Sequence, residues 1–151
     1  MIYSIINPYT QKEIFSYSFT TLSDSYKSIE LLKKNKAHLS QSGFDRSLVL
    51  LKLKELIFSH KEELAKLITL ETGKVLKESL GEVDRACATL EISSEEAKRI
   101  NGEAINTNSF GAQSDKIALI MKKPIGLVMC ITPFNFPLNL ALHKIGPAFA
   151  A

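Results

Sequence analysis

Two prolines near the end of the chain enclose a short turn and restrict the backbone on both sides of one amide side chain. Pro133 and Pro137 flank Asn135 in the segment I-T-P-F-N-F-P-L, and proline limits both its own backbone and that of the residue before it. Apolar residues fill 126–131 before this turn and continue after it. A polar side chain between a strand end and a helix start is how α/β enzymes build sites. The segment therefore predicts a strand, a rigid turn and a helix that begins at Pro137.

The apolar pattern along the chain predicts an α/β fold. Residues 126–131 are apolar on both faces, which is typical of a buried strand in a parallel sheet. Upstream, two β-prone runs around the turn N-P-Y-T predict an N-terminal β-hairpin, and apolar residues at helical spacing predict four helices. The predicted hairpin strands cover 3–6 and 13–19, the helices begin near residues 22, 44, 60 and 75, and a further strand covers 117–123. The parallel sheet is thus expected to be incomplete at Ala151.

Local signals mark several of these boundaries. Thr21 to Asp24 and Ser59 to Glu62 both resemble capping boxes, which satisfy free N–H groups where a helix starts. Gly73 is placed to end the third helix, because glycine adopts the left-handed conformation that closes helices. The polar residues 106–115 predict a loop.

Composition excludes several classes of protein. Hydrophobic residues make up 45% and charged residues 23% of 151 residues, which is normal for a globular protein. The net charge of +3 comes with interspersed acidic residues and no nucleic-acid motif, so solvated helix faces are favoured over nucleic-acid binding. No secretory signal, membrane span, metal-type cysteine spacing or disulfide framework is visible. We therefore expect a cytoplasmic protein without nucleic-acid or membrane partners and without a metal.

Asn135 is the main candidate for chemistry. An amide N–H₂ held rigidly at a helix N-terminus can donate a hydrogen bond to a developing oxyanion, and the helix dipole assists it. The alternative is that Asn135 only caps the helix at Pro137. On spacing alone, the capping role is favoured over the catalytic one.

The other reactive residue types fit structural roles better. Cys130, in the apolar run, and Cys87, on an apolar helix face, both read as small core residues. The histidines are far apart and have no candidate ligand partners, and Glu71 and Glu82 lie on helices without a facing partner for acid–base work. No glycine-rich phosphate motif is present. From chemistry alone, the sequence supports the start of an α/β enzyme.

Several segments together resemble the N-terminal part of the aldehyde dehydrogenase superfamily. The opening N-P and hairpin, the helix-ending motif E-T-G-K at 71–74, and the segment from Lys123 to Leu138 match the family's patterns in order and spacing. The last segment is similar to the family's P-x-G…I-x-P-W-N-F-P, with Phe134 where many members have tryptophan. The resemblance covers essentially all of the chain.

The resemblance implies a Rossmann-like cofactor-binding domain over 1–151, with the region 108–123 as a possible oligomerisation strand. It implies oxidation of an aldehyde by NAD or NADP, in which a Cys thiolate attacks the aldehyde and a Glu later activates water. Asn135 takes the oxyanion role, and the cofactor cleft is lined by Ile131, Thr132, Pro133 and Phe134. A homo-oligomer is expected for the full-length form.

The family's cofactor Lys, Gly-rich turn, general-base Glu and nucleophilic Cys all fall beyond Ala151 in the family's order. We therefore expect a fragment that is inactive alone, with poorly ordered C-terminal residues and exposed apolar side chains at Leu140, Leu142, Ile145 and Phe149. Two alternatives stay open: a non-catalytic interaction protein on the same scaffold, and a CoA-acylating aldehyde or semialdehyde dehydrogenase.

Overall fold

The structure is a computed structural model that describes residues 2–34, 41–107 and 116–151. Nine elements follow in chain order within these ranges: β1 (Ile2–Ile6), β2 (Glu13–Ser18), α1 (Leu22–Lys34), α2 (Gly43–Ser59), α3 (Lys61–Thr72), α4 (Leu76–Ala97), β3 (Glu103–Asn106), β4 (Ile117–Ile120) and α5 (Pro137–Ala150). The prediction of a mixed α/β chain that opens with a hairpin and helices is confirmed. No helix among the described residues is both long enough and apolar enough to cross a membrane.

The predicted N-terminal hairpin is present as the antiparallel pair β1–β2. Its turn is stabilised by Asn7, whose side-chain oxygen accepts hydrogen bonds from the N–H groups of Tyr9 and Thr10 at 2.9 and 2.8 Å. An asparagine side chain that bonds the backbone two residues on is the local chemistry of such turns. Tyr3 and Tyr17 pack their rings across the two strands, with centroids 5.6 Å apart.

Two of the predicted helix boundaries have the expected chemistry. The hydroxyl of Thr21 accepts from the N–H of Asp24 at 3.2 Å, so the cap by the hydroxyl is confirmed. The Asp24 carboxylate accepts from that hydroxyl at 2.7 Å, whereas a capping box would have it accept from a backbone N–H. Gly73 closes α3 with a left-handed φ of 75°, which a glycine adopts without strain.

The second capping signal is wrong. The hydroxyl of Ser59 donates instead to the carbonyl of Leu56, 2.8 Å away, and α3 begins after His60 without a side-chain cap. A capping box that the sequence analysis missed starts α2, where Ser42 and Asp45 satisfy each other's backbone N–H groups. The pattern S-x-x-E lies where α2 ends at Ser59 and α3 begins at Lys61. Ser59 is therefore still part of α2, and its hydroxyl bonds within that helix instead of capping α3.

Helix α4 forms the centre of the core. Its buried face packs against α2, α3 and α5. The apolar side chains that these helices bury include Leu50, Ile57, Ile68, Val83, Leu90 and Leu142. At the crossing of α4 with α5, a Cβ added to Gly146 would lie 2.7 Å from Oγ of Ser93. Because that distance is too short for a side chain, Gly146 allows the two helices to approach closely.

The predicted strand over 126–131 is wrong. Residues 121–133 lie outside any helix or strand and are mostly exposed. A strand requires a neighbour that supplies the other half of its hydrogen bonds, and none lies beside 126–131 in the described part of the chain. The described strands form two separate antiparallel pairs, β1–β2 and β3–β4.

The cysteines and the β3–β4 pair also differ in part from the prediction. Cys130 is exposed rather than a core residue, whereas Cys87 is buried as predicted. Strand β3 lies in a segment where no strand was predicted, and β4 is shorter than the predicted 117–123. The predicted loop 106–115 and the oligomerisation region 108–123 fall partly outside the described residues, as does His38.

Helix α5 begins at Pro137, as predicted, but it is less exposed than expected. Leu142 is buried against the core, and Leu140 is half-buried. Ile145 and Phe149 are exposed, as predicted. One face of α5 is buried because it packs against α4, and the opposite face is exposed.

We predict that Gly146→Ala destabilises the chain. The new methyl group would contact Ser93 at the α4–α5 crossing, and overpacking of this kind lowers the free energy of unfolding by about 1–3 kcal/mol. The matched control is Gly81→Ala on α4, where the nearest atom to an added Cβ is the flexible guanidinium of Arg85 at 3.6 Å. That variant should gain about 0.5–1 kcal/mol from reduced backbone freedom. Urea unfolding measures both, and equal stability of the two variants would contradict the packing.

We also predict that the two thiols differ in reactivity. Burial, followed by the Asp84 carboxylate, raises the pKa of the Cys87 thiol, and the reactive form is the thiolate. In the folded chain, iodoacetamide should label Cys130 well before Cys87, and Cys130→Ser should remove the fast phase. Slow reaction of both thiols would mean that Cys130 is buried, which would contradict the exposure of residues 121–133.

Candidate functional site

The Asn135 side chain lies in a bend just before α5. Residues 134–136 form the bend, and Phe136 occupies the cap position of the helix without a side-chain cap bond. The alternative in which Asn135 only caps the helix is therefore wrong. Its side chain is exposed, and within the described ranges no residue hydrogen bonds to it. The amide is thus available to a group outside the chain.

The four candidate cofactor residues directly precede Asn135. Ile131 and Phe134 are 72% and 91% exposed, Pro133 is exposed, and Thr132 is half-buried. Sequence continuity alone brings these residues together with Asn135. The result is an exposed apolar surface next to the Asn135 amide, and the Phe134 ring contributes to this surface.

A carboxylate that the sequence analysis set aside lies under this turn. Glu82, on α4, has no exposed side-chain surface. Its Oε1 accepts hydrogen bonds from the N–H groups of Leu138 and Asn139 at 3.0 and 3.2 Å. The first N–H groups of a helix have no partner within it. Glu82 therefore supplies from α4 the cap that the residues before α5 do not.

Lys74 completes the charge balance of this carboxylate. Its Nζ lies 3.0 Å from Oε2 of Glu82, and the Lys74 side chain is 18% exposed. The same Nζ lies 3.7 Å from the centroid of the Phe136 ring, and the guanidinium of Arg85 lies 5.5 Å from that ring. Lys74 is the last residue of the E-T-G-K motif, so this motif joins the start of α5 through an ion pair and a cation–π contact.

The signal that could have identified Glu82 is its position on α4. The sequence places no second titratable group opposite Glu82 for acid–base work. Glu82 lies among buried residues of the helix, between Ser79 and Ala86, and a carboxylate there requires a partner. Its partners are backbone N–H groups and a lysine, which an acid–base pattern does not reveal.

The far end of α5 is held by a charge of the opposite sign. Nε of Arg46, on α2, donates to the carbonyl of Ala150 at 3.0 Å. A helix dipole favours a negative group at its start and a positive group at its end. Glu82 and Arg46 satisfy both preferences and fix α5 on the core.

The remaining candidates do not form a second site. His143 Nε2 lies 3.3 Å from Oγ1 of Thr89, and His60 lies at the junction of α2 and α3. An open concave surface at that junction includes Phe58 and Lys66 but not the Asn135 turn. Among the residues that the structure describes, no three His, Cys, Asp or Glu side chains are placed to hold a metal ion.

Comparison with known proteins identifies the family of the chain. The family model described as "Aldehyde dehydrogenase family" matches residues 1–151. The sulfoacetaldehyde dehydrogenase of Neptuniibacter caesariensis is 41% identical over 152 residues, which cover 99% of this chain and 33% of the relative.

Two solved structures have the same fold over this region. The NADP-dependent glyceraldehyde-3-phosphate dehydrogenase from Bacillus halodurans C-125, complexed with NADP, superposes with a TM-score of 0.92 at 31% identity, over 99% of this chain and 32% of its own. A point mutant of betaine aldehyde dehydrogenase from Staphylococcus aureus, in complex with NAD+, gives 0.89 at 32% identity, over 99% and 30%. The chain spans about a third of the length of the curated relatives that it matches. With its whole length matched by the family model, this chain belongs to the aldehyde dehydrogenase family.

Proposed function

We propose that the protein carrying this chain oxidises an aldehyde with NAD or NADP as hydride acceptor, and that Asn135 is an oxyanion donor in that reaction. The observation that carries this proposal is the exposed amide of Asn135 in the bend before α5. Its position at a proline-bracketed helix start is fixed by the backbone, so little reorganisation is needed when charge develops. Donors held in this way supply a large part of the stabilisation in acyl-transfer chemistry.

The charge around the turn suits a developing negative oxygen. The positive end of a helix dipole favours an anion, and the Lys74–Glu82 pair adds no net charge beside it. A lone carboxylate at this place would repel an oxyanion. The ion pair removes that repulsion, which supports the proposed contact between the Asn135 amide and the substrate oxygen.

The residues before Asn135 fit a nicotinamide dinucleotide. Ile131, Pro133 and Phe134 offer exposed apolar surface, and Thr132 adds a hydroxyl. Flat aromatic and sugar groups bind to such surfaces with a few polar contacts for orientation. When bound, the dinucleotide supplies the acceptor for the hydride. The solved relatives with NADP and with NAD+ support either form.

The nucleophile and the general base are proposed to come from residues outside this chain. Cys87 is buried, and its thiol has a raised pKa, which is the opposite of what a nucleophile requires. Because the chain spans about a third of its relatives, we expect the 151 residues alone to give no turnover. The substrate is proposed only as an aldehyde. Assays with and without CoA decide between acid formation and the CoA-acylating alternative.

We further propose that the β3–β4 hairpin contributes to a homo-oligomer. Every residue of β4 is exposed, including Ile117 and Leu119. β4 pairs with β3 on one side in the described residues, and a free strand edge with apolar side chains is suited to pair with another strand.

The proposed role of Asn135 predicts a specific loss of activity. In the full-length protein, Asn135→Ala should lower kcat by about 10²–10³, the usual effect of removing one oxyanion donor. The assay follows formation of NADH or NADPH with sulfoacetaldehyde and a panel of other aldehydes. The matched control is Asn101→Ala, an exposed asparagine that follows α4, and its rate should not change.

Two results would contradict the proposal. If the full-length protein forms no NADH or NADPH with any aldehyde, the proposed activity is wrong. A folded Asn135→Ala variant with the original kcat would remove the role of Asn135.

A further inference from the structure

We propose that Glu82 and Lys74 are positioning residues for the catalytic turn, and that they act together as a buried, neutral cap on the helix that follows Asn135. This inference rests on the proposed function of Asn135. It adds two residues that lie more than 50 positions upstream of the turn in sequence and that do not contact the substrate.

The geometry of the cap fixes the start of α5. Oε1 of Glu82 accepts hydrogen bonds from two consecutive N–H groups, those of Leu138 and Asn139, at 3.0 and 3.2 Å. Charge-assisted hydrogen bonds are shorter and stronger than neutral ones. Two of them to one oxygen fix both the position and the axial direction of the first turn of α5.

The cap is also attached to the rigid part of the molecule. Glu82 lies on α4 next to Val83, and both side chains are fully buried. The start of α5 is therefore tied to the core rather than to the exposed segment before it. Since Asn135 precedes Pro137 by two residues, the direction of its amide depends on where α5 begins.

The charge of the cap is balanced as well. A carboxylate in a buried place beside an oxyanion site would oppose the charge that develops there. Lys74 neutralises it through the 3.0 Å contact with Oε2. The same ammonium lies 3.7 Å from the centroid of the Phe136 ring, so Lys74 also restrains the residue next to Asn135. The pair gives a strong cap without a net negative charge.

The test combines three variants with a matched control. Glu82→Gln keeps the shape and one acceptor oxygen but loses the charge. Lys74→Met leaves the carboxylate without its partner, and the double variant removes both charges. The control is Glu78→Gln, which removes an exposed carboxylate one turn earlier on α4.

Amide NMR spectra of the 151-residue chain test the cap without any assay of activity. In the wild-type chain, the N–H groups of Leu138 and Asn139 should be protected from exchange. In Glu82→Gln, their proton signals should shift upfield and exchange should accelerate at least tenfold, while Glu78→Gln leaves both signals in place. Unprotected wild-type amides, or unshifted signals in Glu82→Gln, would overturn the cap.

Steady-state kinetics of the full-length protein test the positioning role, below the melting temperature of each variant. We expect kcat to fall at least tenfold in Glu82→Gln and further in Lys74→Met, with the double variant faster than Lys74→Met because the unpaired carboxylate is gone. A purely structural role would lower the melting temperature and leave kcat of the folded protein unchanged, which would overturn the inference. If the wild-type protein has no activity, the proposed function fails while the amide spectra still decide the cap.

Discussion

The hydrogen bonds from the start of α5 to a carboxylate on α4 fix the helix that follows Asn135, the residue proposed to act in catalysis. Glu82 accepts them with no exposed surface of its own and is neutralised by Lys74. Arg46 holds the opposite end of the same helix. Each charge is placed where the helix dipole favours it. A helix held at both ends and packed along one face gives Asn135 a defined position, although the residues before it belong to no strand or helix.

This arrangement separates the buried core from the exposed residues that are proposed to act in catalysis. Helix α4 contributes buried apolar side chains to the core and, from the same face, the carboxylate that caps α5. The Asn135 amide and the residues from 131 to 134 stay exposed beside that framework. Catalytic groups are best placed on rigid elements that loops only extend. The E-T-G-K motif, which as a sequence pattern reads as a helix end, takes part in this framework through its lysine.

Most features that depend on neighbouring residues were predictable from the sequence, apart from the helix caps at Ser42 and Ser59. Features that depend on distant partners were not. The hairpin turn at Asn7, the cap at Thr21, the left-handed Gly73 and the helix start at Pro137 each follow from local backbone chemistry. The strand over 126–131, and with it the burial of Cys130, required a neighbouring strand. Glu82 was rejected as a candidate because its partners, two N–H groups more than 50 residues away, leave no pattern in the sequence. For the site, the prediction of Asn135 and residues 131–134 remains untested, whereas the cap beneath them is visible only in three dimensions.

The most direct measurement of this account is a double-mutant cycle on kcat between Asn135→Ala and Glu82→Gln in the full-length protein. If Glu82 acts by directing the Asn135 amide, the slow rate of Asn135→Ala should change little when Glu82→Gln is added, because there is no longer an amide to direct. Strong coupling of this kind is expected for residues that act as one unit. If the two losses multiply independently, Glu82 does not act through Asn135, and the central claim is wrong.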